Sequence, residues 1–184
     1  MSEQRILRCV SNRLPVTASR DENGLLQFQP SSGGLVTALN PVLRQTHGTW
    51  IGWPGPILQS DGSRNTSKSV EEEVQAALKQ HSEESEIDFV PIFLPPKDID
   101  GFYLGFSNQV IWPLFHDLQA RCNFDPSYWR SYQNVTAEFA RVIHKISHPN
   151  DLLWIHDYHL LGLAQVLRDS MPSSSLSFFL HIPF

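Results

Sequence analysis

Three short runs, TWIGW (49–53), DLLWIH (151–156) and LSFFLHI (176–182), are almost wholly apolar, with stretches of helical periodicity between them. A strand that faces water on one side alternates apolar and polar residues, whereas an unbroken apolar run belongs to a strand buried on both faces, as in a parallel sheet covered by helices. Strand and helix then alternate along the chain, which is the pattern of a doubly wound, Rossmann-like α/β fold with a mostly parallel sheet. Ligands of such sheets bind outside the carboxyl ends of the strands, so the segments at those ends carry the functional question.

The first strand is predicted over residues 6–10, with Asn12 and Pro15 of SNRLPV ending it and opening a loop. SRDENG reads as a turn and GLLQFQ as a second extended piece. In SSGGLVTAL, Ser31 or Ser32 can cap a helix that runs to about Leu43. TWIGW is a strand, and PGPILQSDGSRNTSKS (54–69) is the loosest stretch, rich in Pro, Gly and Ser. A surface helix over 70–79 precedes an extended segment, EIDFVPIFL. The aromatic segment 98–116 suits one or two short helices. Asp125 as cap, Pro126 at the first helical position and a stripe of Trp129, Tyr132, Val135, Phe139, Val142 and Ile146 predict a helix to about His148 with that stripe in the core. DLLWIH is then a strand, 159–170 a helix, and LSFFLHI a last buried strand. No internal repeat and no second domain are visible.

The chain has 184 residues, 41% of them apolar, 18% charged and 11% aromatic, an ordinary globular composition. A domain of this size can bury roughly two-thirds of its unfolded surface. The formal charge of −5 argues against broad nucleic-acid binding, which needs a stripe of Lys and Arg. No apolar run is long enough to span a membrane, and the opening MSEQRILRCV lacks the apolar region of a signal peptide, so the expected location is cytoplasmic. Cys9 and Cys122 read as free thiols. Asn134-Val-Thr136 matches a glycosylation acceptor but falls inside a helical pattern, so it is taken as coincidence.

Four segments fall at strand ends: SNR, WIGWPG, HDYH and LHIPF. The densest is HDYH, where His156, Asp157 and His159 could be a metal site, an acid/base pair or a sugar-binding loop. A zinc site with His181 is the weakest of these, because no thiolate or carboxylate stands at ligand spacing. Each histidine alone could equally cap a helix or bond a carbonyl. Gly33 and Gly34 at a helix start can offer backbone N–H groups to a phosphate, or simply make a tight turn. Arg13 can grip a phosphate with two parallel hydrogen bonds, or be a surface arginine. Trp50, Trp53, Tyr103 and Trp112 can face sugar rings or fill the core.

Together, CVSNRLPV, SSGGLVTAL, WIGWPG, FYLGFSNQVIWPLFH, LLWIHDYHLL and FFLHIPF, in this order, resemble the amino-terminal half of the trehalose-6-phosphate synthases, retaining glycosyltransferases of family 20 with the two-domain GT-B fold. The resemblance runs from about residue 6 to 184. It implies transfer of glucose from UDP-glucose to glucose 6-phosphate, giving trehalose 6-phosphate and UDP, with no metal and no cofactor. At matching positions it implies that Arg13 holds the acceptor's phosphate, helped by Tyr103 and Trp112. A tryptophan of WIGW would line the acceptor pocket, Trp53 being favoured over Trp50. Asp157 would bond acceptor hydroxyls and serve catalysis, His181 would contact the donor glucose, and Gly33 and Gly34 would lie against the donor pyrophosphate.

The family continues past residue 184 into a donor-nucleotide domain. Residues 1–184 are therefore expected to be the acceptor-side, amino-terminal Rossmann-like domain, inactive alone. A synthase-like regulatory subunit that binds sugar phosphate without turnover is the first rival reading, and a transferase with another acceptor or nucleotide sugar the second. The partners implied are small molecules, not nucleic acid or membrane, with a homo-oligomer or a complex with a trehalose-phosphate phosphatase left open.

Overall fold

The structure, a computed structural model, describes residues 5–21, 23–57 and 67–183. Residues 1–4 of the opening segment, most of the loose stretch (58–66) and the final Phe184 lie outside the described residues. The chain divides into two compact units, residues 1–93 and 94–184.

In the first unit β1 (Leu7–Arg13), β4 (Thr49–Trp53) and β5 (Asp88–Pro91) form parallel pairs, β1 with β4 and β4 with β5. Between β1 and β4 in sequence lie an antiparallel hairpin, β2 (Val16–Arg20) and β3 (Leu26–Pro30), and the helix α1 (Gly34–Thr46). Helix α2 (Lys68–Ser85) precedes β5 and buries Val70, Val74 and Leu78, one face at a spacing of four. It is longer than expected because Gln80, Glu83 and Glu84 after position 79 are good helix formers. β5 is shorter than the predicted extended run and ends at Pro91, its last bond to β4 being the Ile92 N–H to the Gly52 carbonyl at 2.9 Å.

Two expectations in this unit are corrected. Ser11, Asn12 and Arg13 belong to β1 rather than to a loop: the ladder shifts register between Val10 and Arg13, and Arg13 pairs with Trp53. Gly52 makes this possible, since a Cβ there would stand 2.8 Å from the Ser11 carbonyl oxygen and 2.9 Å from Leu14 N. The Ser11 hydroxyl donates to the Arg13 carbonyl at 2.7 Å and closes the irregular turn of the strand. The second correction concerns α1, whose cap position is Gly33, with no side-chain cap bond from either serine.

The second unit begins with a continuous helical run where short helices were expected: α3 (Pro96–Ile99), a π-helix (Asp100–Ile111) and α4 (Trp112–Phe115). The wider π-turn spreads side chains unlike a 3.6-residue repeat, which is why no helical stripe is legible there; such turns are often found at functional sites. α5 (Pro126–Ile146) starts as predicted, with the Asp125 carboxylate accepting from Ser127 N–H at 2.7 Å. Its buried face is Tyr132, Val135, Thr136, Phe139, Ala140 and Ile143, whereas Trp129 is exposed and Val142 and Ile146 are half-buried. The predicted stripe therefore drifts off the true face at both ends. Phe102 and Phe106 of the π-helix stack or tilt against Tyr132, with centroids 5.9 and 4.6 Å apart.

β6 (Leu152–His156) and β7 (Ser175–Phe179) are parallel, joined by a single turn (Tyr158–Leu160) and α6 (Leu163–Ser170). The predicted 159–170 helix is thus split. β7 was expected to be buried, yet Phe178 and Phe179 are 39% and 50% exposed. Among the described residues no helix is long and apolar enough to cross a membrane.

Candidate functional site

The residues singled out by sequence fall on both units, and each set is built by its own local structure. In the first unit Arg13 ends β1 with its guanidinium 5.1 Å from the ring centroid of Trp53, its ladder partner. At an exposed site such a cation–π contact contributes about 0.5–1 kcal/mol, enough to bias the arginine rotamer. Gly55, two residues past β4, has φ +94°, and a Cβ there would collide with the Arg13 guanidinium. Trp53 below and Gly55 alongside thus hold the one cation of SNR in place. Trp50 is different: it is 1% exposed and its indole N–H donates to the Ser11 hydroxyl at 2.8 Å, so it is a core residue with its polar handle satisfied. Gly33 and Gly34 stand at the start of α1, and a Cβ on either would meet nothing within 4 Å. Packing alone does not require glycine at these two positions.

In the second unit the centre is Asp157. Its φ of 75° and ψ of 164° lie in a region that is essentially glycine's, and a side chain held there costs about 1–3 kcal/mol. Local bonds over-determine it. Oδ1 accepts from Tyr158 N–H at 2.9 Å and from His181 N–H at 3.3 Å. Its own N–H donates to the Phe179 carbonyl at 2.8 Å, and its carbonyl accepts from Leu160 N–H at 3.1 Å. Non-glycine residues kept in such a conformation cluster at active sites and ligand clamps.

Around it, His156 is buried with Nδ1 3.1 Å from His181 Nε2. Burial, reinforced by the adjacent His181, pulls His156 down to about 4. His159 is also buried, and burial lowers it to about 4 despite Asp157, whose Oδ2 is 3.8 Å from Nδ1. Desolvation outweighs the ion pair because that contact is too long for a hydrogen bond. His159 stacks on Tyr103, centroids 5.6 Å apart at 15°, and on Tyr158 at 4.0 Å. Tyr158 in turn donates its hydroxyl to Asn108 Oδ1 of the π-helix at 3.2 Å, and burial together with Asp157 raises it to about 12. Asp157, His181, His159 and Tyr103 are therefore linked directly in one cluster. Trp112 stands apart from it, 39% exposed and stacked on His116 at 4.1 Å.

Among the described residues no group of three His, Cys, Asp or Glu could hold a metal ion. Chemically, the cluster offers hydrogen-bonding groups and flat rings: a carboxylate acceptor, an imidazole and a tyrosine face. That inventory suits a polyhydroxylated ligand. Sequence reasoning missed Gly55, for which the signal was a glycine directly after Trp-Pro in WIGWPG. It also missed Asn108, and it brought His181 toward His156 only as a weak zinc site, not as the ring-to-ring hydrogen bond that the structure shows.

The family model described as Glycosyltransferase family 20 matches residues 6–184. The chain is 39% identical over 187 residues to alpha,alpha-trehalose-phosphate synthase [UDP-forming] 1 of Aspergillus fumigatus, covering 100% of this chain and 34% of that protein. A solved structure of a Burkholderia xenovorans alpha,alpha-trehalose-phosphate synthase (UDP-forming) in complex with glucose-6-phosphate superposes with a TM-score of 0.68 at 30% identity, covering 97% of this chain and 33% of that one. A structure from E. coli described as bound with UDP-2-fluoro glucose gives a TM-score of 0.70 at 31% identity, covering 97% and 33%. The chain spans about a third of the length of these relatives.

Proposed function

The chain belongs to glycosyltransferase family 20, and from that footing we propose that it forms the acceptor-side part of a UDP-forming alpha,alpha-trehalose-phosphate synthase. The complete protein transfers glucose from UDP-glucose to glucose 6-phosphate with retention of configuration. In the exchange the bond from glucose C1 to the UDP oxygen breaks while a bond from C1 to the acceptor hydroxyl oxygen forms on the same face. The acceptor's proton passes to the departing phosphate oxygen, so neither a metal nor a protein nucleophile is required. The regulatory reading has no observation in its favour, since the relatives are named as synthases.

Each residue's role follows from its chemistry. Arg13 supplies the bidentate cation for the acceptor phosphate, with Tyr103 and Trp112 as further contacts. Trp53 walls the acceptor pocket, and Trp50, its N–H already bonded to Ser11, does not. Asp157 orients acceptor hydroxyls, His181 meets the donor glucose, and Gly33 and Gly34 approach the donor pyrophosphate through backbone N–H groups. A complex of the complete protein with a trehalose-phosphate phosphatase would pass the product to hydrolysis, and sedimentation of the two together reads it.

The observation that supports this reading best is the carboxylate of Asp157, held in a glycine-like conformation by two backbone N–H groups. The test is Asp157→Asn in the complete enzyme. Asparagine keeps an acceptor oxygen for both N–H groups and tolerates positive φ, so the fold stays intact by circular dichroism. UDP release in a coupled assay should fall by about 10²–10³, the scale expected for losing a positioned charge at the reacting centre. Turnover near that of the unaltered enzyme would remove Asp157 from the site.

A further inference from the structure

His156 is 1% exposed and has a ring that tilts against Trp154 at 4.7 Å and lies beside Phe179 at 6.4 Å. Its Nδ1 faces His181 Nε2 at 3.1 Å, and its Nε2 has no hydrogen-bond partner among the described residues. The rings of the two histidines lie within 28° of parallel. Because burial keeps His156 well below the ordinary histidine range, the ring carries a single hydrogen near neutral pH, and two arrangements are open. If that hydrogen is on Nε2, a buried N–H is left without an acceptor. If it is on Nδ1, the bond to His181 is made and only a lone pair is left bare. Buried N–H groups without partners are rarer than under-satisfied acceptors, so the second arrangement prevails.

We propose that His156 is a positioning residue that donates from Nδ1 to His181 Nε2 and so fixes neutral His181 as the tautomer with its hydrogen on Nδ1. With Nε2 committed as acceptor, the hydrogen-bond capacity left to the His181 ring is a single donor. A donor on that ring selects an oxygen acceptor, a hydroxyl of the transferred sugar, and rejects a proton-abstracting role. The backbone of His181 is fixed independently, since its N–H reaches Asp157 Oδ1 at 3.3 Å. Main chain and ring are therefore set by two different residues of the same strand end. This inference rests on the reading of His181 as a contact of the donor glucose.

The test has two arms. Long-range 1H–15N correlation spectra of the full chain, labelled with 15N-histidine and held at about pH 8, above the ordinary histidine range, should show both His156 and His181 with hydrogen on Nδ1 and bare Nε2. Hydrogen on Nε2 of either ring overturns the proposal, and this arm needs neither a variant nor substrate. In the complete enzyme, His156→Leu should lower kcat/KM for UDP-glucose about tenfold, the scale of one lost hydrogen bond in a positioned group. KM for glucose 6-phosphate should stay unchanged. His156→Asn, whose amide nitrogen can stand in for Nδ1, should recover most of the loss. Equal loss in both variants, or a loss falling on glucose 6-phosphate, overturns the positioning role. His181→Ala with unaltered UDP-glucose kinetics would instead overturn the reading of His181 as a donor contact, while the spectra still decide the tautomer.

Discussion

His159→Phe is the substitution whose outcome the structure specifies most fully. His159 is 9% exposed, and neither ring nitrogen has a hydrogen-bond partner among the described residues. Burial depresses it from 6.5 to about 4. A drop of that size corresponds to about 3 kcal/mol of free energy needed to charge the ring inside the fold. The sign follows from proton linkage. Between pH 6.5 and 4 the unfolded chain binds a proton that the folded chain refuses, so the stability associated with this group is whole above pH 6.5. It falls away as the pH drops toward 4 and then levels off. Phenylalanine keeps the ring that stacks on Tyr103 and Tyr158 and has nothing to titrate. At pH 7 the variant should match or exceed the parent, because two unpaired buried nitrogens disappear. Between pH 7 and 4 its loss of stability in urea titrations should be smaller than the parent's by about 3 kcal/mol, leaving the similar contribution of His156 in place. The imidazole 15N shifts of His159 in the parent should stay those of a neutral ring down to about pH 5. An unchanged acid slope in the variant, or a His159 ring that titrates near its ordinary value, would refute the argument.

Gly55→Ala places a Cβ against the Arg13 guanidinium at a backbone φ of +94°. It should cost about 1–3 kcal/mol in thermal or urea unfolding. It should also weaken glucose 6-phosphate binding to the complete enzyme, read by calorimetry with plain glucose as control; unaltered affinity for the phosphate ester would show that Arg13 is not held from this side. Trp53→Ala should raise KM for glucose 6-phosphate in the complete enzyme, whereas Trp50→Phe should leave KM alone and lower stability by about 1 kcal/mol, since it removes the buried indole bond to the Ser11 hydroxyl, which keeps its own bond to the Arg13 carbonyl. Equal effects on KM would return Trp50 to the acceptor pocket. Tyr132→Phe removes the acceptor of Gly162 N–H, a 2.7 Å bond between α5 and the start of α6, and should cost about 1–2 kcal/mol without changing KM for either substrate.

What the linear chain determined is what depends on neighbours in sequence. TWIGW and LLWIH are short unbroken apolar runs, the length and composition of a strand buried on both faces, and both occur as strands at the predicted places. The start of α5 follows from Asp125 and Pro126, whose capping bond and preset φ act within one turn. The motif order also carried the family. Tertiary structure decided the rest, through contacts between residues far apart. Arg13 became part of a strand because Gly52, on the neighbouring strand, leaves room for a shifted register. The glycine-like conformation of Asp157 exists because Phe179 and His181, more than twenty positions away, hold its backbone and carboxylate. Trp50 and Trp53 could not be told apart in WIGW, two aromatics in a five-residue strand. The fold separated them by giving the indole of one to Ser11 and the face of the other to Arg13. Propensity, patterning and local caps act along the chain, whereas strain, burial and side-chain hydrogen bonds between distant residues exist only once those segments have met.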